Sequence, residues 1–208
     1  MRYLPVAIDS RGKKINIIGG GVSALIKLKG FLKAEFTIKV LADEFLEEFY
    51  TLENKYKDRL ILIKEKITDD YDISSCDYLV LATDNLKLNE TLTIRAKSLK
   101  VPVLNTSSPS KSDFILNKII EKNDISFSIS TDSKAPGLSK YLATELSDFL
   151  DGLDFEKIDL IIDFRQALKM INCKSIKEEM IKAYVMEKEE LRSSIKNIYE
   201  NKNRNKGE

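Results

Sequence analysis

Histidine and tryptophan are absent from the 208 residues, and only two cysteines, four prolines and eight glycines occur. Without histidine there is no Ser-His-Asp or Cys-His nucleophile, no imidazole metal ligand and no imidazole proton shuttle. Acid–base chemistry therefore falls to carboxylates, lysine, tyrosine, serine or water. Cys76 and Cys173 lie far apart, with neither Cys-x-x-Cys spacing nor a histidine partner, and are expected to be reduced packing residues in a reducing cytosol. No apolar run approaches the length of a membrane span, and Asp9 interrupts the N-terminal apolar stretch too early for a secretory segment. Excess charge of one sign is lacking too: 34 Lys and Arg face 33 Asp and Glu, so no global field draws the chain onto nucleic acid or an anionic membrane. A soluble, cytoplasmic protein with no metal, no nucleic-acid partner and no membrane partner is expected.

What is present is 43% hydrophobic and 32% charged residues, the composition of a helix-rich globular protein rather than a collagen-like, disulfide-scaffold or disordered chain. The first half alternates short apolar runs with helical periodicity. Lys14–Ile18, Phe36–Leu41, Leu60–Ile63, Asp77–Ala82 and Val101–Leu104 suit strands. Between them, helices are expected from the Gly19-Gly20-Gly21 turn to about Glu35, around Phe45–Leu52, and from about Leu86 to Leu99. That rhythm predicts an α/β fold, a Rossmann-type doubly wound parallel sheet over residues 1–111. Over 112–150 the rhythm changes: Phe114–Leu116 and Ile125–Ser130, across the polar turn 121–124, predict an antiparallel β-hairpin. A helix follows, with Leu138, Tyr141, Leu142, Leu146, Phe149 and Leu150 on one side. Residues 151–208 form a helical C-terminal region, in one segment carrying Ile158, Ile161, Ile162 and Leu168, one more charged segment from about Ser175 to Tyr199, and a frayed end from Asn201.

Gly19-x-Gly21-x-x-Ala24 directly follows a strand and opens a helix. In such a turn the first glycine permits the bend and the second lets backbone approach a pyrophosphate. The small third residue brings helix and strand together, and the helix N-terminus supplies amides and a positive dipole end. The turn predicts dinucleotide binding; tight strand–helix packing alone is the plainer alternative. Asp43, with Glu44 beside it, stands where a carboxylate would grip a ribose hydroxyl and favour NAD, unless either caps the next helix. Ala82-Thr83-Asp84-Asn85, at the carboxyl end of the fourth strand, is a second ligand-facing place, where Thr83 or Asp84 could equally cap a helix.

Tyr3-Leu4-Pro5, Gly12-Lys13-Lys14, Ile18–Gly21 with Ala24 and Lys27, Ala82-Thr83-Asp84, Asn89, Asn105, Phe114-Ile115, Ile129-Ser130-Thr131 and Lys134-Ala135-Pro136 occur in an order that resembles one family. It is that of the precorrin-2 dehydrogenase and sirohydrochlorin ferrochelatase proteins of sirohaem synthesis. The resemblance covers about residues 1–150. It implies NAD as cofactor, oxidation of precorrin-2 to sirohydrochlorin, and a homodimer formed through the 112–150 region. By position, cofactor contacts would fall on Gly19, Gly20, Gly21, Val22, Ser23, Asp43, Glu44 and Thr83. Lys111, Lys118, Lys122, Lys134 and Lys140 lie in the stretch that would line a cleft for a carboxylate-rich tetrapyrrole, although each alone is an ordinary surface lysine.

The resemblance also has departures. An aspartate follows strand five in the family, the leading candidate for its acid–base or metal-insertion chemistry; here the stretch is Asn105-Thr106-Ser107-Ser108-Pro109. Ser108 can orient water or donate a hydrogen bond but carries no charge near neutral pH. Asp113 is the nearby carboxylate that could substitute, unless beside Phe114 it merely ends a loop, so Ser108 and Asp113 are the candidate catalytic residues. Ser23 replaces a common valine, and Asp132-Ser133 replaces a glycine pair. Metal insertion, which needs a base and a steering ligand, is not expected, whereas hydride transfer asks mainly for orientation and a dry cleft. Two competing expectations remain: a non-catalytic tetrapyrrole- or NAD-binding protein on the same fold, and a redox-sensing Rossmann regulator that leaves everything after residue 112 unexplained.

Overall fold

The computed structural model describes residues 2–131 and 135–204. Five parallel strands, β1 (Lys14–Ile18), β2 (Thr37–Ala42), β3 (Leu60–Lys64), β4 (Tyr78–Leu81) and β5 (Val103–Asn105), form a sheet in the order β3-β2-β1-β4-β5. Side-chain alternation sorts its faces. Ile15 and Ile17 of β1, Val80 of β4 and Leu104 of β5 enter one core with Ala24, Leu28 and Phe31 of α1 (Val22–Phe31) and Phe49 of α2 (Glu47–Lys55). Ile18, Leu79, Leu81 and Val103 enter the opposite core with Leu92 and Ala96 of α3 (Leu86–Ser98). Crossover helices on both faces bury the sheet twice over, hence the nearly continuous apolar strands. The chain reverses winding at β1, whose neighbours are β2 and β4, and this places a crevice at the carboxyl ends of those strands.

Two sequence expectations need correction in the hairpin. Its strands are β6 (Lys118–Lys122) and β7 (Ile125–Ile129), not Phe114–Leu116 and Ile125–Ser130. Glu121 and Lys122, expected in the turn, are paired. Lys122 opposes Ile125 and leaves only Asn123 and Asp124 to reverse the chain, with Asn123 in the left-handed region at φ 50° that asparagine tolerates. Phe114 and Leu116 were claimed by the core instead. Phe114 makes edge contacts with Phe31 and Tyr78, and Leu116 sits where Gly30 offers no side chain.

Residues 1–147 make one compact unit and 148–208 a second, with α4 (Pro136–Asp151) running through the division. On α4, Ala143 and Leu150 are buried while Leu138, Tyr141 and Leu142 are exposed. The second unit contains α5 (Phe155–Met170), α6 (Ile176–Ala183) and α7 (Lys188–Arg204). The charged segment expected as one helix is thus broken between Ala183 and Lys188. Straight, residues 175–199 would measure about 37 Å against about 24 Å for the 16 residues of α5, and would overhang it. Broken, both halves return to α5, and Met180, Ala183 and Leu191 close over Phe164 and Leu168. Asp154 caps α5 and, with Glu156, binds Lys188. Of the residues expected to fray from Asn201, those to Arg204 belong to α7, and 205–208 lie outside the described residues.

Candidate functional site

The crevice at the strand ends is a cavity of about 730 Å³ lined by Gly19–Ser23, Ala42–Leu46, Glu65–Ile67, Ala82–Asn85, Ile18 and Leu88. Gly19, Gly20, Gly21, Val22, Ser23, Asp43, Glu44 and Thr83, eight positions taken from three separate loops, therefore meet at one place. Gly19 has φ 128°, and a Cβ there would collide with the Ala82 carbonyl. A Cβ on Gly20 would lie 2.9 Å from the Glu44 carbonyl carbon and overlap its oxygen. These two glycines clamp the β1–α1 turn between the ends of β2 and β4. Gly21 differs: a Cβ there meets nothing within 4 Å. Its missing side chain serves no packing need in the protein and leaves space for a ligand to approach backbone.

Gly21 is also the N-cap of α1, with no side-chain cap and no acidic residue in the first turn. The first amides of the helix therefore have no internal acceptor and face the cavity with the positive dipole end behind them, an arrangement suited to a pyrophosphate. Asp43 and Glu44 follow β2 directly. Neither caps α2, whose N-cap is Leu46; among the described residues Asp43 Oδ1 accepts only the Glu44 amide, at 3.1 Å. Thr83 is at the end of β4. Asp84 does not cap α3, as one of the sequence alternatives had it. Asn85 does, accepting the Leu88 amide at 3.0 Å, which leaves Asp84 on the cavity wall. The lining carries four carboxylates, on Asp43, Glu44, Glu65 and Asp84, against one ammonium, on Lys66.

Ser108 and Asp113, paired in the sequence reading, are separated. Asp113 Oδ2 accepts the Val103 amide at 3.1 Å, its own amide donates to the Val103 carbonyl, and Oδ1 is 3.4 Å from Lys97. It thus tethers the chain to the amino end of β5, at the far end of that strand from the crevice. Ser108 follows the carboxyl end of β5, in a loop joined to the Thr83 loop by a buried amide network. Asn89, fully buried on α3, donates to the Thr83 carbonyl at 2.8 Å and to Ser107 Oγ at 2.9 Å, while its Oδ1 accepts Thr83 Oγ1 at 2.7 Å. Asn105, also buried, donates to Thr93 Oγ1 at 3.0 Å and accepts from Ser107 N, Ser107 Oγ and Ser108 N. From outside, Tyr3 Oη donates to the Pro109 and Ser112 carbonyls, and Arg2 reaches the Ser110 carbonyl.

Asn89 and Asn105 were legible as motif residues but not as scaffolding. The available signal was a polar residue at each position where the apolar pattern of α3 and β5 points inward. Glu65, Lys66 and Ile67, just after β3, carried no such signal. Of the lysines expected to line a tetrapyrrole cleft, Lys118 and Lys140 face a second cavity, Lys111 pairs with Glu90, and Lys122 closes the hairpin. Lys134, Asp132 and Ser133 lie outside the described residues. Cys76 is buried, donates to the Ile73 carbonyl, and its thiol is pushed up to about 11 by burial. No described helix is long and apolar enough to cross a membrane.

A family model described as "Putative NAD(P)-binding" matches residues 6–118. The siroheme synthase of Ruthia magnifica subsp. Calyptogena magnifica is 30% identical over 169 residues, which are 81% of this chain and 35% of that protein. The "Putative precorrin-2 dehydrogenase" of Methanocaldococcus jannaschii is 26% identical over 202 residues, covering 95% of this chain and 96% of that one. Among solved structures, "SirC, precorrin-2 dehydrogenase" superposes with a TM-score of 0.73 at 23% identity, over 93% of this chain and 99% of that chain, a likeness of fold. The chain spans about a third of the length of the siroheme synthases it matches.

Proposed function

The chain belongs to the NAD(P)-binding family whose model matches residues 6–118, and from that premise we propose that it is an NAD-dependent dehydrogenase that oxidises precorrin-2 to sirohydrochlorin in sirohaem synthesis. The observation that carries the cofactor is the Gly21 position: a helix N-terminus without a cap, beside open space no protein atom fills. With a dinucleotide held there by its pyrophosphate, its nicotinamide would accept the hydride in a two-electron oxidation that releases one proton. The substrate rests on the full-length likeness to the Methanocaldococcus jannaschii protein and on the ordered motifs through residue 136.

The residues divide the work by position. The α1 amides from Val22 and Ser23 onward hold the pyrophosphate, and Asp43 and Glu44 take the ribose hydroxyls. Four lining carboxylates repel a 2′-phosphate, which selects NAD over NADP. Thr83 lines the crevice beside the place where the reacting ring would lie, Ser108 belongs to the adjoining loop outside that lining, and Asn89 and Asn105 set the spacing between the two loops. Asp84 is the nearby wall carboxylate free to accept the released proton. Asp113 acts as the tether of β5. Metal insertion forms no part of the proposal, because Ser108 supplies no anionic base. The exposed Leu138, Tyr141 and Leu142 on α4 support a homodimer, and a buried, protonated Cys76 suits a reducing cytoplasm.

Anaerobic incubation with enzymatically generated precorrin-2 and NAD tests the reading through NADH absorbance and the sirohydrochlorin spectrum. One NADH per sirohydrochlorin is expected, with NADP a poor substitute. Tight tetrapyrrole binding without NADH would refute the dehydrogenase and leave a carrier on the same fold. Ser108→Asp separates the roles of that position: lower turnover is expected if the hydroxyl belongs to the working site, and higher turnover would mark serine as a relic.

A further inference from the structure

A second cavity, of about 600 Å³, lies on the outer side of α1, walled by Ile26, Lys27, Lys29, Gly30 and Lys33, residues 115–119, Ile129–Thr131, Ser139 and Lys140. Its charge is the reverse of the crevice's. Lys27, Lys29, Lys33, Lys118 and Lys140 face it, and its lining contains no carboxylate among the described residues. Two of the five are engaged: Lys29 pairs with Glu48 at 2.6 Å, and Lys33 donates to the Ile119 carbonyl at 2.9 Å. Among the described residues, Lys27, Lys118 and Lys140 have no acidic partner. Lys27 is half-buried, and burial pushes its ammonium down from the usual lysine value, the mark of a cation lacking a counter-charge. On the same wall, the buried Asn117 Oδ1 has no hydrogen-bond partner among the described residues, while its Nδ2 donates to Ser128 Oγ at 3.0 Å. Because a hydroxyl both donates and accepts, this amide can turn over, keep Ser128 and present its N–H instead. Apolar surface from Ile26, Ile115, Leu116, Ile119 and Ile129 makes up much of the remainder.

Segregation of charge decides what such a place suits. A ligand bearing many carboxylates on an apolar ring is repelled by the four acidic side chains of the crevice and attracted by a lysine-rimmed apolar groove. A neutral peptide would leave Lys27, Lys118 and Lys140 uncompensated. The first turn of α1 lines the crevice and its next turns line the groove, so the two are adjacent along one helix. We propose that the groove between α1 and the β6–β7 hairpin is an anion-binding site for the carboxylate arms of a polycarboxylate macrocycle, separate from the nicotinamide crevice. The inference rests on the tetrapyrrole reading above and adds where the acidic periphery of that substrate docks.

The test is fluorescence titration of the full chain with uroporphyrin III, a stable octacarboxylate that cannot be oxidised in the proposed reaction. The wild type and a Lys27→Gln, Lys118→Gln, Lys140→Gln variant are compared, with and without saturating NAD. Neutralising three partly solvated cations is expected to weaken porphyrin binding about tenfold, with NAD affinity unchanged and weakening on added salt. Should the triple variant fold poorly, Lys118→Glu with Lys140→Glu changes only exposed positions and is expected to weaken binding more. Equal porphyrin affinity in wild type and variants overturns the inference, as does displacement of porphyrin by NAD, which would put it in the crevice. Those failures are distinct from failure of the dehydrogenase reading. Lysine-dependent porphyrin binding with no NADH from precorrin-2 would keep the groove and lose the reaction; lysine-independent binding with full NADH formation would do the opposite.

Discussion

Gly21→Asp separates the fold from the ligand more sharply than any other single change, because its two effects have opposite sign. The position has φ −90° and ψ −171°, an extended conformation that an N-cap aspartate adopts without strain, and a Cβ there touches nothing. Its carboxylate can accept an amide from the first turn of a helix that now has no side-chain cap. Relative to glycine the cap is worth a few tenths of a kcal/mol, and the negative charge at the positive helix end adds a similar amount, together about 0.5–1 kcal/mol. For a chain of this size that raises the thermal midpoint of the ligand-free protein by about 1–3 °C. The same carboxylate occupies the amides a pyrophosphate needs and repels its charge. Losing one or two charge-assisted hydrogen bonds, worth about 1.5–3 kcal/mol each, weakens NAD binding by about tenfold at the least. Melting followed by circular dichroism at 222 nm, with and without NAD, and calorimetric titration read both effects. A variant that binds NAD like the wild type would refute the cofactor assignment. One that melts well below the wild type without ligand would refute the claim that Gly21 is free of packing duty.

Gly20→Ala, one residue away, behaves oppositely: its methyl overlaps the Glu44 carbonyl, and the shift this forces is expected to cost about 3 kcal/mol, seen as a lower urea midpoint before any ligand is added. Asn105→Ala removes the acceptor of three donors in the Ser107–Ser108 loop and one donor to Thr93, for an expected loss of about 2–3 kcal/mol in denaturant unfolding. Cys76 is expected to resist alkylation in the native protein at pH 8 and to react once unfolded. Its thiol is held up to about 11 in the fold, while an unfolded thiol titrates near about 8.5. The stability linked to it is therefore complete below the lower value and lost as pH rises towards the upper one. The urea midpoint should fall over that window, and less steeply in Cys76→Ala; rapid native alkylation would contradict the burial argument.

Much of the parallel sheet was present in the chain itself. A strand buried on both faces must be apolar throughout, and a crossover helix must repeat its apolar residues every three to four positions. From those two periods β1 to β4 and α3 follow within a residue, whereas α1 stops at Phe31, four residues short of the expected Glu35, and α2 runs on to Lys55, three beyond Leu52. The glycine turn was legible for the same reason, since three constraints of backbone geometry and close packing fall within six residues. Where local rules leave a tie, tertiary structure broke it. Both Asp84 and Asn85 can cap a helix, and only the path of the chain into α3 gives the role to Asn85. Phe114–Leu116 has strand propensity, but Phe31, Tyr78 and the gap at Gly30 offer it more burial than a hairpin partner would, and the pairing moves to Lys118. Ser108 and Asp113 are close in sequence yet belong to opposite ends of β5, because the chain after Ser108 turns back along the strand it has just left. The opposed charges of crevice and groove likewise arise only in three dimensions. Each surface draws short stretches from separate parts of the chain, and no period in one dimension records which of them the fold brings together.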